Sequence, residues 1–439
     1  MIRAALFALG LLAALPARAE VDIQEITTPG GITAWLVEEH SNPFVALELR
    51  FRGGTSLDSP ETLGAMSLMT HTLEEGAGEM DANEFATRSE ELAASFSYNV
   101  YDDVLTVSAK FLTENRDDAI EHLRESLVNP RFDQDALDRV RGQMLLIIQS
   151  DAKDPRTQAS RALDKLVFGD HPYSRNGDGT LETVAALDRD NVLAAHQAGI
   201  ARDRLYVSAV GDITADELSA LLDRLLGDLP ETGAPLPGKA ELNLPGGTHV
   251  TPFATPQSVA VFAQPGIDRD HEDFFAAFIL NHVLGGGGFE SRLMTEVREK
   301  RGLTYGVYSY LANKDNADLW AGSVASANDR VAEAIEVIRA QWDEVRRNGI
   351  TAEELEDAKT YLTGAYPLRF DGNGPIANIA VGMQMDDLPI DYIATRNDKV
   401  MAVTLEDVNR VAREYLDPDA LTFVVVGQPE GLMGDTAAN

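Results

Sequence analysis

The sequence predicts an α+β fold of two homologous halves, each a mostly antiparallel sheet with helices packed on one face, joined by a linker into a clam-like shape. Three observations carry this. Strand signals occur in groups alongside groups of helices, without strict strand–helix–strand alternation, which favours α+β layers over a parallel, doubly wound sheet. One ordered set of helix and strand signals occurs twice. Between the two copies, residues 230–247 are rich in Pro and Gly and lack periodicity, the composition of a linker.

Taken in order, the first element is a processing signal. Arg3 gives a positive start, residues 4–16 form a short apolar run, and Ala17-Arg18-Ala19 supplies small residues for cleavage after Ala19. The run is too short to span a membrane. Residues 1–19 are therefore expected to be a cleaved signal peptide, which in a bacterium implies the periplasm. Their removal takes away two arginines and no acids, and the formal charge moves from −34 to −36.

Residues 44–51 (FVALELRF) alternate apolar and polar side chains and stop at Gly53-Gly54, as a strand does. Residues 63–75 carry Ala65, Met66, Leu68, Met69 and Leu73 at helical spacing. Asp81 and Glu84 form a capping box that opens a helix through Leu92. Residues 98–111 read as a hairpin folded about Asp102-Asp103. Helices follow at 119–128 and 134–149, separated by Asn129-Pro130.

The duplication is read from matched intervals. Asp190-Asn191-Val192 opens a helix leading to a strand at 205–211, and Glu406-Asp407-Val408 leads likewise to one at 421–427. From Val192 to Gly211 and from Val408 to Gly427 the interval is the same 19 residues. Ala119-Ile120-Glu121 starts a helix pair that recurs at Ala334-Ile335-Glu336, and the second member of the later pair has its own capping box, Thr351 to Glu354. The resulting division is a signal (1–19), a first domain (20–229), the linker (230–247), a second domain (248–432) and a tail (433–439).

Composition narrows the function. With 37 Lys+Arg against 71 Asp+Glu, the surface would repel nucleic-acid phosphates and anionic lipid, so neither is an expected partner. No cysteine is present, which excludes disulfides, thiolate metal sites and cysteine nucleophiles. A metal would have to be held by the 8 histidines and by carboxylates. The glycines at 285–288 are followed by no Lys-Ser/Thr, so a phosphate-binding loop is not expected. His171, beside Pro172, reads as a turn residue, and His196, His249, His271 and His282 stand alone.

The segment with hydrolytic chemistry is His71-Thr72-Leu73-Glu74-Glu75. On a helix, His71, Glu74 and Glu75 would share one face. A zinc hydrolase needs two imidazoles at i and i+4 with a carboxylate base between them. The first imidazole and the base position are present, whereas Glu75 stands where the second imidazole is needed. By itself, the segment is weak evidence and reads as a solvated or locally paired histidine.

Residues 284–305 (LGGGGFESRLMTEVREKRGLTY), taken with His71 and the duplicated halves, resemble the pitrilysin/insulinase family of inverted zinc peptidases, in its bacterial and mitochondrial-processing-type members. The resemblance extends over nearly all of the chain after the signal, including the Asp170-His171-Pro172-Tyr173 turn. It implies a His-x-x-Glu-His motif on the first half and a distal Glu as third zinc ligand. This sequence departs from both. Glu75 replaces the second His, residues 144–150 (MLLIIQS) contain no carboxylate, and Asp151, next in line, is a doubtful substitute. The resemblance also implies that Arg298 and Tyr305, seven residues apart, reach across the cavity to the substrate backbone and the oxyanion.

Two-chain members of the family divide these parts. The expectation is a periplasmic subunit with a degenerate zinc motif (His71, Glu74, Glu75) and no metal of its own. It would bind peptide or unfolded protein and supply Arg298 and Tyr305 in trans to a homologous, zinc-bearing partner in a heterodimer. Two alternatives stay open: a non-catalytic structural or assembly subunit of the same fold, and an autonomous peptidase with an altered metal site.

Overall fold

The structure, a computed structural model, describes residues 21–432; the expected signal (1–19) and tail (433–439) lie outside the described residues. The first half opens with β1 (Gln24–Thr27), β2 (Thr33–Glu38) and β3 (Phe44–Arg52), then α1 (Ala65–His71). Two short strands, β4 (Gly76–Ala77) and β5 (Met80–Asp81), precede α2 (Ala82–Glu91) and the hairpin β6 (Ser95–Val100) and β7 (Val104–Leu112). Helices α3 (Arg116–Val128), α4 (Gln134–Asp151), α5 (Pro155–Phe168), α6 (Leu181–Ala186) and α7 (Arg189–Gly199) lead to β8 (Leu205–Gly211) and α8 (Ala215–Leu226).

The second half repeats the plan. Strands β9 (Thr248–Pro252) and β10 (Gln257–Pro265) precede α9 (Phe274–Asn281), and two wide π-type turns lead into the hairpin β11 (Val307–Lys314) and β12 (Ala317–Ala327). Five helices then mirror α3–α7: α10 (Val331–Asn348), α11 (Ala352–Ala365), α12 (Asn373–Met385), α13 (Tyr392–Ala402) and α14 (Leu405–Tyr415). Strand β13 (Thr422–Gly427) closes the half.

The sheets share one topology. The first is ordered β1-β2-β8-β3-β7-β6, and the second, read in the same sense, β9-β13-β10-β12-β11. Every pairing is antiparallel except β2 with β8 and its counterpart β9 with β13. Local chemistry starts the helices where expected. Asp81 with Glu84, Thr351 with Glu354 and Thr404 with Asp407 all form closed capping boxes.

Two expectations are corrected. The helix expected over 63–75 ends at His71. The Thr70 and Thr72 hydroxyls donate back to the Met66 and Leu68 carbonyls (2.7 and 2.6 Å), and the chain leaves through tighter turns, Leu73 N to Thr70 O and Glu75 N to Thr72 O. The sheets are also covered on both faces. Helix α5 packs its Ala159, Leu163 and Val167 on Val259, Val261 and Val424 of the second sheet. Reciprocally, α12 packs Ala377 on Ala46 and Val210 of the first, and Gln384 donates to the Val207 carbonyl at 2.7 Å. This exchange explains why Glu48, at an outward position of an alternating strand, is buried.

The equivalent hairpin tips of the two halves meet. Lys314 pairs with Asp102, the Asp315 amide donates to Asp103 at 3.2 Å, and Tyr173 accepts from the Asn316 amide at 3.1 Å. Residues 230–247 hold no helix or strand, yet they are stitched down on both sides: Arg202 N to Pro230 O, Asn243 N to Val167 O and Ala240 N to Asn316 O.

Candidate functional site

The first half of the site is the end of α1. Its N-terminus is fixed by Asp58, whose buried carboxyl accepts from the Gly64 and Met66 amides at 2.9 and 3.1 Å. Residues Ala65 to Thr70 are buried, and His71 emerges at the surface as the last helical residue. The helix stops there, and Glu74 and Glu75 follow it on the tighter turns. Partial desolvation, then the neighbouring Glu75 carboxylate, pushes the Glu74 carboxyl up.

Glu75 is already engaged. Arg139, on α4, donates Nη1 to Oε1 at 2.6 Å and Nη2 to Oε2 at 2.7 Å. The last residue of α4, Asp151, is engaged in the same way, with Arg161 Nη2 on its Oδ2 at 2.9 Å. Residues 144–150 turn Met144 and Ile148 inward and expose Leu146 (67%) and Ile147 (52%), so that surface is aliphatic.

This donor set does not fit zinc, the metal that the resemblance implies. Of the oxygens at the expected ligand positions, those of Glu75 are both committed to a guanidinium and Asp151 is paired with a second. A cation beside either would meet a fixed positive charge. His71 is a single imidazole. Among the described residues, no group of three or more His, Asp or Glu is arranged to hold a metal.

The second half of the site is the chain from Met294 to Gly306. Arg298 sits on the wide turn Met294–Glu299 with its guanidinium over the Phe289 ring, 4.5 Å from the centroid. Among the described residues Arg298 makes no surface ion pair of the kind a purely structural role would need, and Glu296 is taken by Lys300 (2.6 Å) and Arg301 (2.7 Å). Tyr305 is 87% exposed on the loop before β11 and is no strand core residue. Thr304 anchors that loop by donating to the Ala325 carbonyl at 2.6 Å. The backbone is therefore held while the phenol projects into solvent.

Five of the other histidines make structural contacts. His171 accepts from the Tyr173 amide at 3.2 Å and lies 2.9 Å from the Gly238 carbonyl. His196 is buried against the Leu127 carbonyl, and burial pushes its pKa down. His249 lies against Gly246 O, His271 against Tyr415 and the Asp273 amide, and His282 stacks on Tyr361. Arg139 was missed in the sequence because no spacing rule links residues 64 positions apart; Arg161 was missed because it pairs with Asp151 from the next helix, ten positions on.

A duplicated α+β chain of this topology has the architecture of the insulinase type, and the chain belongs to peptidase family M16. Residues 34–178 match insulinase (peptidase family M16), and residues 186–362 match the peptidase M16 inactive domain. It is similar to the "Non-peptidase homolog YmxG" of Helicobacter pylori, 28% identical over 89% of this chain and 90% of that one. It is also 24% identical to the "Uncharacterized zinc protease SCO5738" of Streptomyces coelicolor, over 90% and 87% of the two chains. A peptidase M16 inactive domain from Pseudomonas fluorescens superposes with a TM-score of 0.86 at 28% identity, covering 95% of this chain and all of that one. A Helicobacter pylori protease, at 16% identity and a TM-score of 0.83 over 92% and 99% of the two chains, shares the fold. No helix among the described residues is long and apolar enough to cross a membrane.

Proposed function

We propose that this chain is the non-zinc-bearing subunit of a heterodimeric metallopeptidase, exported through a cleaved signal to the periplasm. Its partner is a homologous chain with an intact zinc motif. The observation that supports this most is an asymmetry between the halves. On the first, the oxygens at the metal-ligand positions are paired with Arg139 and Arg161. On the second, Arg298 has no ion pair among the described residues and Tyr305 is exposed. A chain with its metal position neutralised and its substrate-facing donors free is suited to complete another chain's site.

In that role Arg298 donates to carbonyls of a bound peptide, and its planar fork fixes the backbone. The Tyr305 hydroxyl donates to the oxyanion that forms at the scissile carbonyl, a stabilisation worth on the order of 10²–10³ in rate. The test is reconstitution with a secreted relative from the same genome that carries His-x-x-Glu-His. Peptide hydrolysis should appear only in the mixture and should fall in Arg298→Ala and Tyr305→Phe.

The non-catalytic reading is favoured by one observation, the name "Non-peptidase homolog" carried by the Helicobacter relative. Full activity of the partner without this chain, or a mixture indifferent to both substitutions, would select it. The autonomous reading is disfavoured by the arginines on Glu75 and Asp151.

A further inference from the structure

A cavity of about 550 Å³, within the range of small-ligand sites, lies in the second half between α9, the end of β11, α12 and α13. It is unusual in this acidic chain for the sign of its charge. Arg269, Arg369 and Arg396 all line it, against one carboxylate, Asp386. Burial pushes the Asp386 carboxyl up, whereas Arg269, Arg50 and Arg52 favour its ionised form.

Arg396 is the anchor. It is only 6% exposed, lies over the Tyr366 ring at 4.4 Å, and donates Nη1 to the Leu362 carbonyl (2.8 Å) and to Asn397 (3.0 Å). Arg269 lies over Phe274 at 4.3 Å and donates to the Tyr392 hydroxyl at 2.8 Å. Arg369 is exposed at the mouth. Among the described residues, none of the three has a carboxylate at ion-pair distance. A guanidinium buried without a counter-charge is costly, and two like charges beside it raise that cost. With Asp386 as the one carboxylate on the wall, the three guanidinium groups leave the cavity suited to a further anion. The walls, which include Phe275, Phe278 and Tyr310, are aromatic and suit a ring more than a bare ion.

We propose that this cavity is a peptide subsite that takes a carboxylate carried next to an aromatic side chain. The carboxylate is held by the Arg269, Arg369 and Arg396 forks and the ring by the aromatic wall. The inference rests on the reading of this chain as a peptide binder and adds a subsite to it. The carboxylate is either a peptide C-terminus or an acidic side chain, and the experiment separates the two.

The test uses the full chain alone, by calorimetric titration. The probes are N-acetyl-phenylalanine (terminal carboxylate), N-acetyl-Glu-Phe amide (side-chain carboxylate), N-acetyl-Phe amide (no carboxylate) and inorganic phosphate. At least one carboxylate probe should bind about tenfold or more tightly than N-acetyl-Phe amide, and which one does so names the source. Arg369→Gln, at an exposed position, should remove that preference while the protein stays folded, and Arg269→Gln should do the same. Equal binding of acid and amide overturns the proposal. So does phosphate binding as tightly as the carboxylate probes, or a preference that survives both substitutions. The partner is absent throughout, so failure here leaves the reconstitution result untouched, and failed reconstitution leaves this one untouched.

Discussion

Glu75 and Arg139 form a two-pronged ion pair, Nη1 to Oε1 at 2.6 Å and Nη2 to Oε2 at 2.7 Å, between the turn after α1 and the middle of α4. It spans 64 positions of sequence and occupies the place where a zinc peptidase of this family needs a second imidazole. The pair turns a missing ligand into a closed position. Restoring the ligand is therefore not enough. Glu75→His would set an imidazole against the Arg139 guanidinium and leave Asp151 paired with Arg161. The variant should still carry no stoichiometric zinc after dialysis, read by elemental analysis; near-equimolar metal would show that the arginines do not block the site.

Tyr305 and Arg298 should be nearly silent in the isolated chain. Tyr305 is 87% exposed, and Arg298 lies over the Phe289 ring with no ion pair among the described residues. Tyr305→Phe and Arg298→Ala should shift the unfolding free energy by no more than about 0.5 kcal/mol. In the reconstituted pair each should lower kcat by on the order of 10²–10³. Equal losses in stability and in activity would assign both residues to folding.

The hairpin tips should be energetically coupled across the halves. Lys314 and Asp102 are each about one-third exposed, so screening limits their pair. A double-mutant cycle with Lys314→Met and Asp102→Asn should give a coupling of about 0.5–1 kcal/mol in thermal unfolding. A value near zero would mean that this pair adds nothing measurable to the hold between the halves.

Asp58 supplies a pH signature. Burial pushes its pKa up to about 7 from 3.8. Between these values the folded state keeps a proton that the unfolded chain has released. Its contribution is therefore fully present below about pH 4 and is lost as pH rises towards 7, by up to about 4 kcal/mol. Asp58→Asn cannot titrate. In urea unfolding, the variant should gain on the wild type from pH 4 to pH 7, and a difference constant over that window would place the Asp58 pKa near its ordinary value.

Much of this architecture was legible because it rests on local chemistry. The boxes at Asp81/Glu84 and Thr351/Glu354 are satisfied within one turn, and the matched intervals to Gly211 and Gly427 follow from two copies of one β–α plan. What escaped depends on contacts distant in sequence. Nothing near residue 75 signals Arg139. The exchange of α5 and α12 between the sheets is hidden because residues 44–51 alternate like a half-buried strand while a remote helix covers the second face. The early end of α1 was readable in part: Thr70 and Thr72 are residues whose hydroxyls compete for helix carbonyls.

The most direct test of the central claim is peptide hydrolysis by this chain mixed one to one with a secreted, zinc-bearing homologue, beside each chain alone and beside a mixture containing Tyr305→Phe. The account predicts activity only in the mixture, lowered by about two orders of magnitude or more by the substitution. Hydrolysis by this chain alone, or a mixture that Tyr305→Phe leaves unchanged, would contradict it.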